Sequence, residues 1–244
     1  MTLPPPVPSD IRVLRDLIRS AKCILFDFDG PLARLFAGLP APRAAQMLKE
    51  RLDRWRLLPV LPDAVTECDD PIQVLRDTAA ALRGSVNHDR IAALEELLTG
   101  QELLAVRSAV PTPYADPLVG LLAARSRVVA VTTNNSPLAA SSYLRARGLD
   151  GYFGRHIHGR TSDPAQMKPD PFCLEQALET TGAGAADCLM IGDSPDDYTA
   201  ALRAGVTFLG YARNDTDRAA QLHAAGARHV VLDLETLHQA ALTA

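Results

Sequence analysis

Apolar positions fall into two spacings along this chain, and they sort it into two kinds of structure. Short continuous apolar runs, Cys23-Ile24-Leu25-Phe26, Val128-Val129-Ala130-Val131 and Cys188-Leu189-Met190-Ile191, read as buried strands. Thr207-Phe208-Leu209-Gly210-Tyr211 and His229-Val230-Val231-Leu232 add two more. Helices separate them. Ser136-Pro137 opens one that stops at Gly148, and Ser194-Pro195 opens one that stops at Gly205. Ahead of the first strand, Ser9 and Asp10 cap a helix with apolar positions Ile11, Leu14, Leu17 and Ile18, after an extended proline-rich start. Strands alternating with helices imply βαβ units and a parallel sheet.

The stretch from 33 to 112 has a different character. Asp70-Pro71 opens a helix closed by Gly84, Asn87 opens another that ends near Gly100, and a third covers about 43–57. Strand-like runs are essentially absent, and Pro111-Thr112-Pro113 marks the exit. The pattern predicts one α/β domain, 1–32 and 113–244, interrupted by an α-helical domain over 33–112.

Composition narrows the function. The 244 residues carry 29 acidic and 25 basic side chains, a net charge of −4, and only 5% aromatics. Nucleic-acid binding needs a basic footprint or a stacking platform, and neither is present. Cys23, Cys68, Cys173 and Cys188 are scattered without a CxxC pair, as expected of reduced thiols and not of a zinc site or disulfide framework. The start MTLPPPVPSD has no signal-peptide pattern, and no apolar run is long enough to span a membrane. The expectation is a cytoplasmic protein, monomer or homodimer, with no membrane partner.

Parallel sheets bind ligands at the carboxyl ends of their strands. Those ends hold Asp27 and Asp29, then Thr132-Thr133-Asn134, then the Lys168 region, then Asp193 with Asp197. Carboxylates crowded into one cleft need a counter-ion, and Mg²⁺ with oxygen ligands suits them best. Asp27 and Asp29, two apart, share a side of the strand end, so one can attack as a nucleophile while the other handles a proton. Thr133 and Asn134 can donate to phosphoryl oxygens, Lys168 supplies a fixed positive charge, and Asp193 and Asp197 can hold the metal directly and through water.

DFDGPL at 27–32, VTTNNS at 131–136, Lys168 in MKPDP and IGDSPDD at 191–197 resemble, in order, the four motifs of the haloacid-dehalogenase (HAD) superfamily. The helical region between the first two resembles the cap of its phosphoglycolate-phosphatase-like and β-phosphoglucomutase-like branch. The resemblance implies a Rossmann-like core with an inserted helical cap, acting on a small-molecule phosphate ester. It implies Asp27 as the nucleophile that becomes an aspartyl phosphate and Asp29 as general acid and base. Asp27, the Asp29 carbonyl and Asp193 would ligate Mg²⁺, with Asp197 in its outer shell. Thr133 would bind phosphate, Lys168 would steady the charge, and Gly30 would let the chain turn closely beneath the phosphate. Pro31 departs from the family, which most often has Thr or a β-branched residue there, and removes one backbone N–H.

Other groups carry blander expectations. Asp196 suits a helix dipole and is left outside the site, and Thr132 is structural. His156 and His158 form an edge pair without a third ligand. Trp55 among Arg51, Arg54 and Arg56 reads as a solvated helix face, while Arg34, Leu35 and Phe36 directly follow the catalytic loop and are candidates to face the pocket. A receiver domain would place its acidic pair ahead of the phosphorylated Asp, unlike this order. The expected activity is Mg²⁺-dependent phosphatase. A sugar-phosphate mutase shares the same carboxylates and is the alternative. A dehalogenase would need neither Mg²⁺ nor Asp29, and a non-catalytic phosphate-binding protein would typically have lost one of these residues.

Overall fold

A computed structural model describes residues 10–84 and 87–244; the proline-rich start and Ser9 lie outside them. Among the described residues there are eight strands: β1 Cys23–Phe26, β2 Ala33–Arg34, β3 Val110–Pro111, β4 Val128–Thr132, β5 Ile157–His158, β6 Cys188–Gly192, β7 Thr207–Tyr211 and β8 Val230–Val231. The helices of the first half are α1 Ile11–Ser20, α2 Ala41–Arg54, α3 Asp63–Thr66, α4 Pro71–Ala81, α5 His88–Val106 and α6 Ala115–Ala124. Those of the second half are α7 Pro137–Arg147, α8 Asp150–Phe153, α9 Phe172–Thr181, α10 Pro195–Arg203, α11 Thr216–Ala225 and α12 Leu234–Leu242.

Six strands form one sheet in the order β5-β4-β1-β6-β7-β8, every neighbouring pair parallel. Central β1 shows why its sequence is apolar throughout. Ile24 and Phe26 enter the core on one face, Cys23 and Leu25 the core on the other, and all four are fully buried. The register sets Phe26 beside Val131 and Ile191, so the chains leaving β1, β4 and β6 emerge together at one edge. Ser136 and Ser194 then cap the two following helices, each with proline at the first turn.

Between β1 and β4, helices α2 to α5 gather around a third apolar cluster that includes Leu48, Leu52, Val74, Leu75, Leu94 and Leu98. Two expectations for this stretch change. Short strands β2 and β3 pair antiparallel where the chain leaves and re-enters the sheet domain. Helix α5 also does not stop near Gly100 but runs on to Val106. Contacts made by Thr99 and Glu102 with Arg160 hold it in place, and they outweigh the helix penalty of one glycine, about 1 kcal/mol. No described helix is long and apolar enough to cross a membrane.

Candidate active site

The carboxyl edge of the sheet opens on a cavity of about 250 Å³. Asp27 leaves β1 with its amide bonded to the Ile191 carbonyl at 2.9 Å, which aligns it with the end of β6. Its Oδ1 accepts from Lys168 Nζ at 2.8 Å, and the same ammonium donates to Asp197 Oδ1 at 2.5 Å and to the Thr132 carbonyl at 2.9 Å. Lys168 thus spends all three protons inside the site. Burial works against its charge, but Asp197 and Asp27 outweigh that and hold the ammonium above the ordinary lysine range.

Asp197 forms a capping box with Ser194 at the start of α10, and its Oδ2 accepts from the amides of Asp193 and Ser194. Both its oxygens are therefore committed, one to Lys168 and one to the loop carrying Asp193. A Cβ at Gly192 would lie 2.5 Å from that of Asp197, so the approach requires glycine. Asn134 also supports Lys168. Its Oδ1 accepts the Lys168 amide at 2.7 Å and its Nδ2 donates to the Lys168 carbonyl at 3.1 Å. The side chain expected to donate to a phosphoryl group is placed as a clamp on the lysine backbone. Thr133 is buried in the same loop, its hydroxyl engaged with Asn135.

Carboxylate oxygens of Asp27, Asp193 and Asp197 lie within 4.8 Å of one another. Burial pushes Asp27 up to about 6, with Lys168 pulling against it, and pushes Asp193 up to about 7 despite Arg213. Asp29 is raised as well, chiefly by burial, although its carboxylate accepts the Leu35 amide at 2.9 Å. Its carbonyl points the other way and accepts from Arg213 Nη2 at 2.6 Å.

Several further side chains reach the cavity from elements distant in the chain. Arg213 follows β7 and pairs with Asp193, and Arg218 from α11 donates to the Asp193 carbonyl at 3.0 Å. From the inserted helices, the first turns of α4 bring Asp70, Ile72, Gln73 and Arg76 to the cavity. Arg76 Nη1 bonds both the Lys168 carbonyl and Asp196 Oδ2 at 2.6 Å. Asp196 sits in the first turn of α10, as expected, and also lines the cavity, because Arg76 reaches across to it. In the cavity, six carboxylates (Asp27, Asp29, Asp70, Asp193, Asp196, Asp197) face four cations (Lys168, Arg76, Arg213, Arg218). The excess of carboxylates favours a bound cation, and an all-oxygen donor set fits a hard metal.

The remaining candidates lie elsewhere. Arg34 lines a neighbouring cavity, Leu35 is buried in the core and Phe36 packs against it. Trp55 packs on the helical cluster under Arg51 and Arg90. His156 and His158 both contact Thr180 Oγ1. Cys23, Cys173 and Cys188 are buried thiols and Cys68 is half-buried.

Residues 21–205 match the family model of haloacid dehalogenase-like hydrolases. A phosphoglycolate phosphatase of Rhodospirillum rubrum is 32% identical over 205 residues, covering 79% of this chain and 81% of that protein. Among solved structures, one described as a predicted phosphatase from Clostridium acetobutylicum superposes with a TM-score of 0.65. It is 18% identical, and the match covers 92% of this chain and 99% of that one. A HAD family hydrolase of Deinococcus radiodurans, solved with bound phosphate and sodium, gives 0.59 at 24% identity over 92% of this chain and 96% of that one. The structural likenesses show the same fold, and the family match spans all four strand-end motifs. This chain belongs to the haloacid dehalogenase-like hydrolases, among relatives named as phosphatases.

Proposed function

We propose that this hydrolase is a Mg²⁺-dependent phosphatase that cleaves a small phosphate monoester through an aspartyl phosphate on Asp27. The observation that carries the reading is the buried contact of Asp27 with Lys168, in a cavity that Asp193 also lines. Lys168 keeps one oxygen of Asp27 ionised and oriented, and leaves the other to attack phosphorus. Asp29, whose carboxyl is raised chiefly by burial, is the group to pass a proton to the leaving alcohol and then take one from the water that hydrolyses the acyl phosphate. The Thr133 hydroxyl, whose proton can rotate, donates to a phosphoryl oxygen. Gly30, with φ +145°, lets the loop turn beneath the phosphate. Asn134 and Asp197 act from outside, fixing Lys168 and the Asp193 loop.

Asp27, Asp193 and the Asp29 carbonyl would hold Mg²⁺, with Asp197 in its outer shell, and the metal would offset phosphoryl charge when bound. The helices over 33–112 serve as a cap, closing on the site through Arg76. The named relatives make a phosphorylated small organic acid such as phosphoglycolate the first substrate to test. A panel of phosphorylated metabolites should show Mg²⁺-dependent phosphate release that Asp27→Asn and chelation abolish. Full activity in Asp27→Asn overturns the nucleophile assignment.

A further inference from the structure

Arg213 stands where a metal would be expected to act. Its Nη2 donates to the Asp29 carbonyl at 2.6 Å and also contacts Asp193 Oδ2, two oxygens of the proposed donor set. The placement is built into the chain. Arg213 and Asn214 have φ of 55° and 58°, a strained left-handed pair of non-glycine residues that turns the arginine back over the sheet edge. Opposite them, a Cβ at Gly30 would lie 2.5 Å from Arg213 Nη2 and 2.6 Å from Asp193 Oδ2, so the glycine makes room for the guanidinium. Yet the fit is incomplete, because Arg213 Nε is buried without a partner.

Resting on the reading of this site as a divalent-metal site, we propose that Arg213 is a resident counter-ion that the metal must displace. With no metal bound, its charge offsets Asp193 and bridges β1 to β6. A metal on the Asp29 carbonyl and Asp193 Oδ2 would share both oxygens with the guanidinium, and two cations at that range repel each other. Arg213 also has somewhere to go. It lines a second cavity, of about 360 Å³, whose wall includes the carboxylates of Asp233 and Glu235. Glu235 accepts the Tyr114 hydroxyl at 2.7 Å and Asp233 caps α12, so both are held in place to receive a cation. The exchange swaps one cation for another at Asp193, so metal affinity is set lower than the donor oxygens alone would give.

The test is Mn²⁺ binding, followed by electron paramagnetic resonance of the free ion, in the wild type and in Arg213→Met, Arg213→Lys and Arg218→Met. Arg213→Met should bind Mn²⁺ about tenfold more tightly, within the usual range of coupling between two sites. Arg218→Met removes the same charge from Asp193 without freeing the Asp29 carbonyl, and should gain clearly less. Arg213→Lys, which keeps the charge, should stay near the wild type. A second readout is thermal unfolding in chelator near pH 8, where Arg213→Met should melt below the wild type and saturating Mg²⁺ should close the gap. Equal or weaker Mn²⁺ affinity in Arg213→Met, or an equal gain in Arg218→Met, overturns the displacement while leaving the metal site standing. No Mn²⁺ binding by any of the four proteins overturns the metal reading, and this inference with it.

Discussion

Glu102 and Arg160 form a buried ion pair that ties the inserted helices to the loop after β4, and removing Glu102 should separate stability from activity. Both side chains are fully buried. Glu102 Oε1 and Oε2 accept from Arg160 Nη1 and Nη2 at 3.0 and 2.9 Å, and the same oxygens accept from Asn135 Nδ2 at 2.9 Å and the Ser136 amide at 3.0 Å. Glu102→Ala leaves the guanidinium only Asn134, Thr99 and Glu95 as acceptors, and strands the Asn135 and Ser136 donors. Breaking a buried pair from one side costs about 3–5 kcal/mol. For a chain of this size each kcal/mol moves Tm by about 2–4 °C, so Tm should fall by about 6–20 °C. Replacing both partners with apolar residues, Glu102→Leu with Arg160→Met, should recover much of that loss. It should not recover turnover, because Asn135 and Ser136 lose the acceptors that hold Thr133 and Asn134 in place. Circular dichroism melts and phosphate release from an aryl phosphate measure the two quantities. A Glu102→Ala protein within about 1 kcal/mol of the wild type would falsify the energetic argument. A fully active double variant would show that the loop needs no strut.

Other outcomes follow from the same geometry. Lys168→Met should cut kcat by about 10²–10³, the range for removing a preorganised charge, and leave the Asp27 and Asp197 carboxylates facing each other; a loss of less than tenfold contradicts the role given to the ammonium. Metal-free protein should lose stability as pH rises. Asp27 and Asp193 sit at about 6 and 7 against an ordinary 3.8, so between about pH 4 and 7 the folded chain keeps protons that the unfolded chain has released. Melts in chelator should therefore give a lower Tm near pH 8 than near pH 5, with Asp193→Asn flattening the upper half; a Tm that climbs over that span refutes the sign. Arg76→Met removes the link from α4 to Asp196 and Lys168, and should raise KM more than it lowers kcat, with Tm little changed because the pair is partly exposed. Steady-state kinetics on the best substrate decides this, and an equal loss in both parameters would place Arg76 in the chemical step.

What could be read from the sequence is what neighbouring residues determine. An apolar run ending in aspartate announces a buried strand and its functional edge, as Cys23–Phe26 and Asp27 show. A Ser-Pro pair announces a helix start, as at α7 and α10. Residues set by contacts distant in sequence were not legible. Gly100 looked like a helix end, and only the bonds from Thr99 and Glu102 to Arg160, 58 or more positions away, keep α5 continuous. Asp196 and Asp197 are adjacent identical residues, but one turns inward to Lys168 while the other turns outward to Arg76. Local sequence cannot tell them apart, because the difference lies in which cation the fold brings to each. Arg213 is the extreme case. It follows a short strand in a polar turn, Arg213-Asn214-Asp215, where a solvated arginine is the ordinary expectation. The glycine at position 30 reads from the sequence as a turn beneath a phosphate, and only the structure shows what lies against it. A position that admits no side chain implies something pressed against it, and the group pressed there is the guanidinium that reaches back to Asp193.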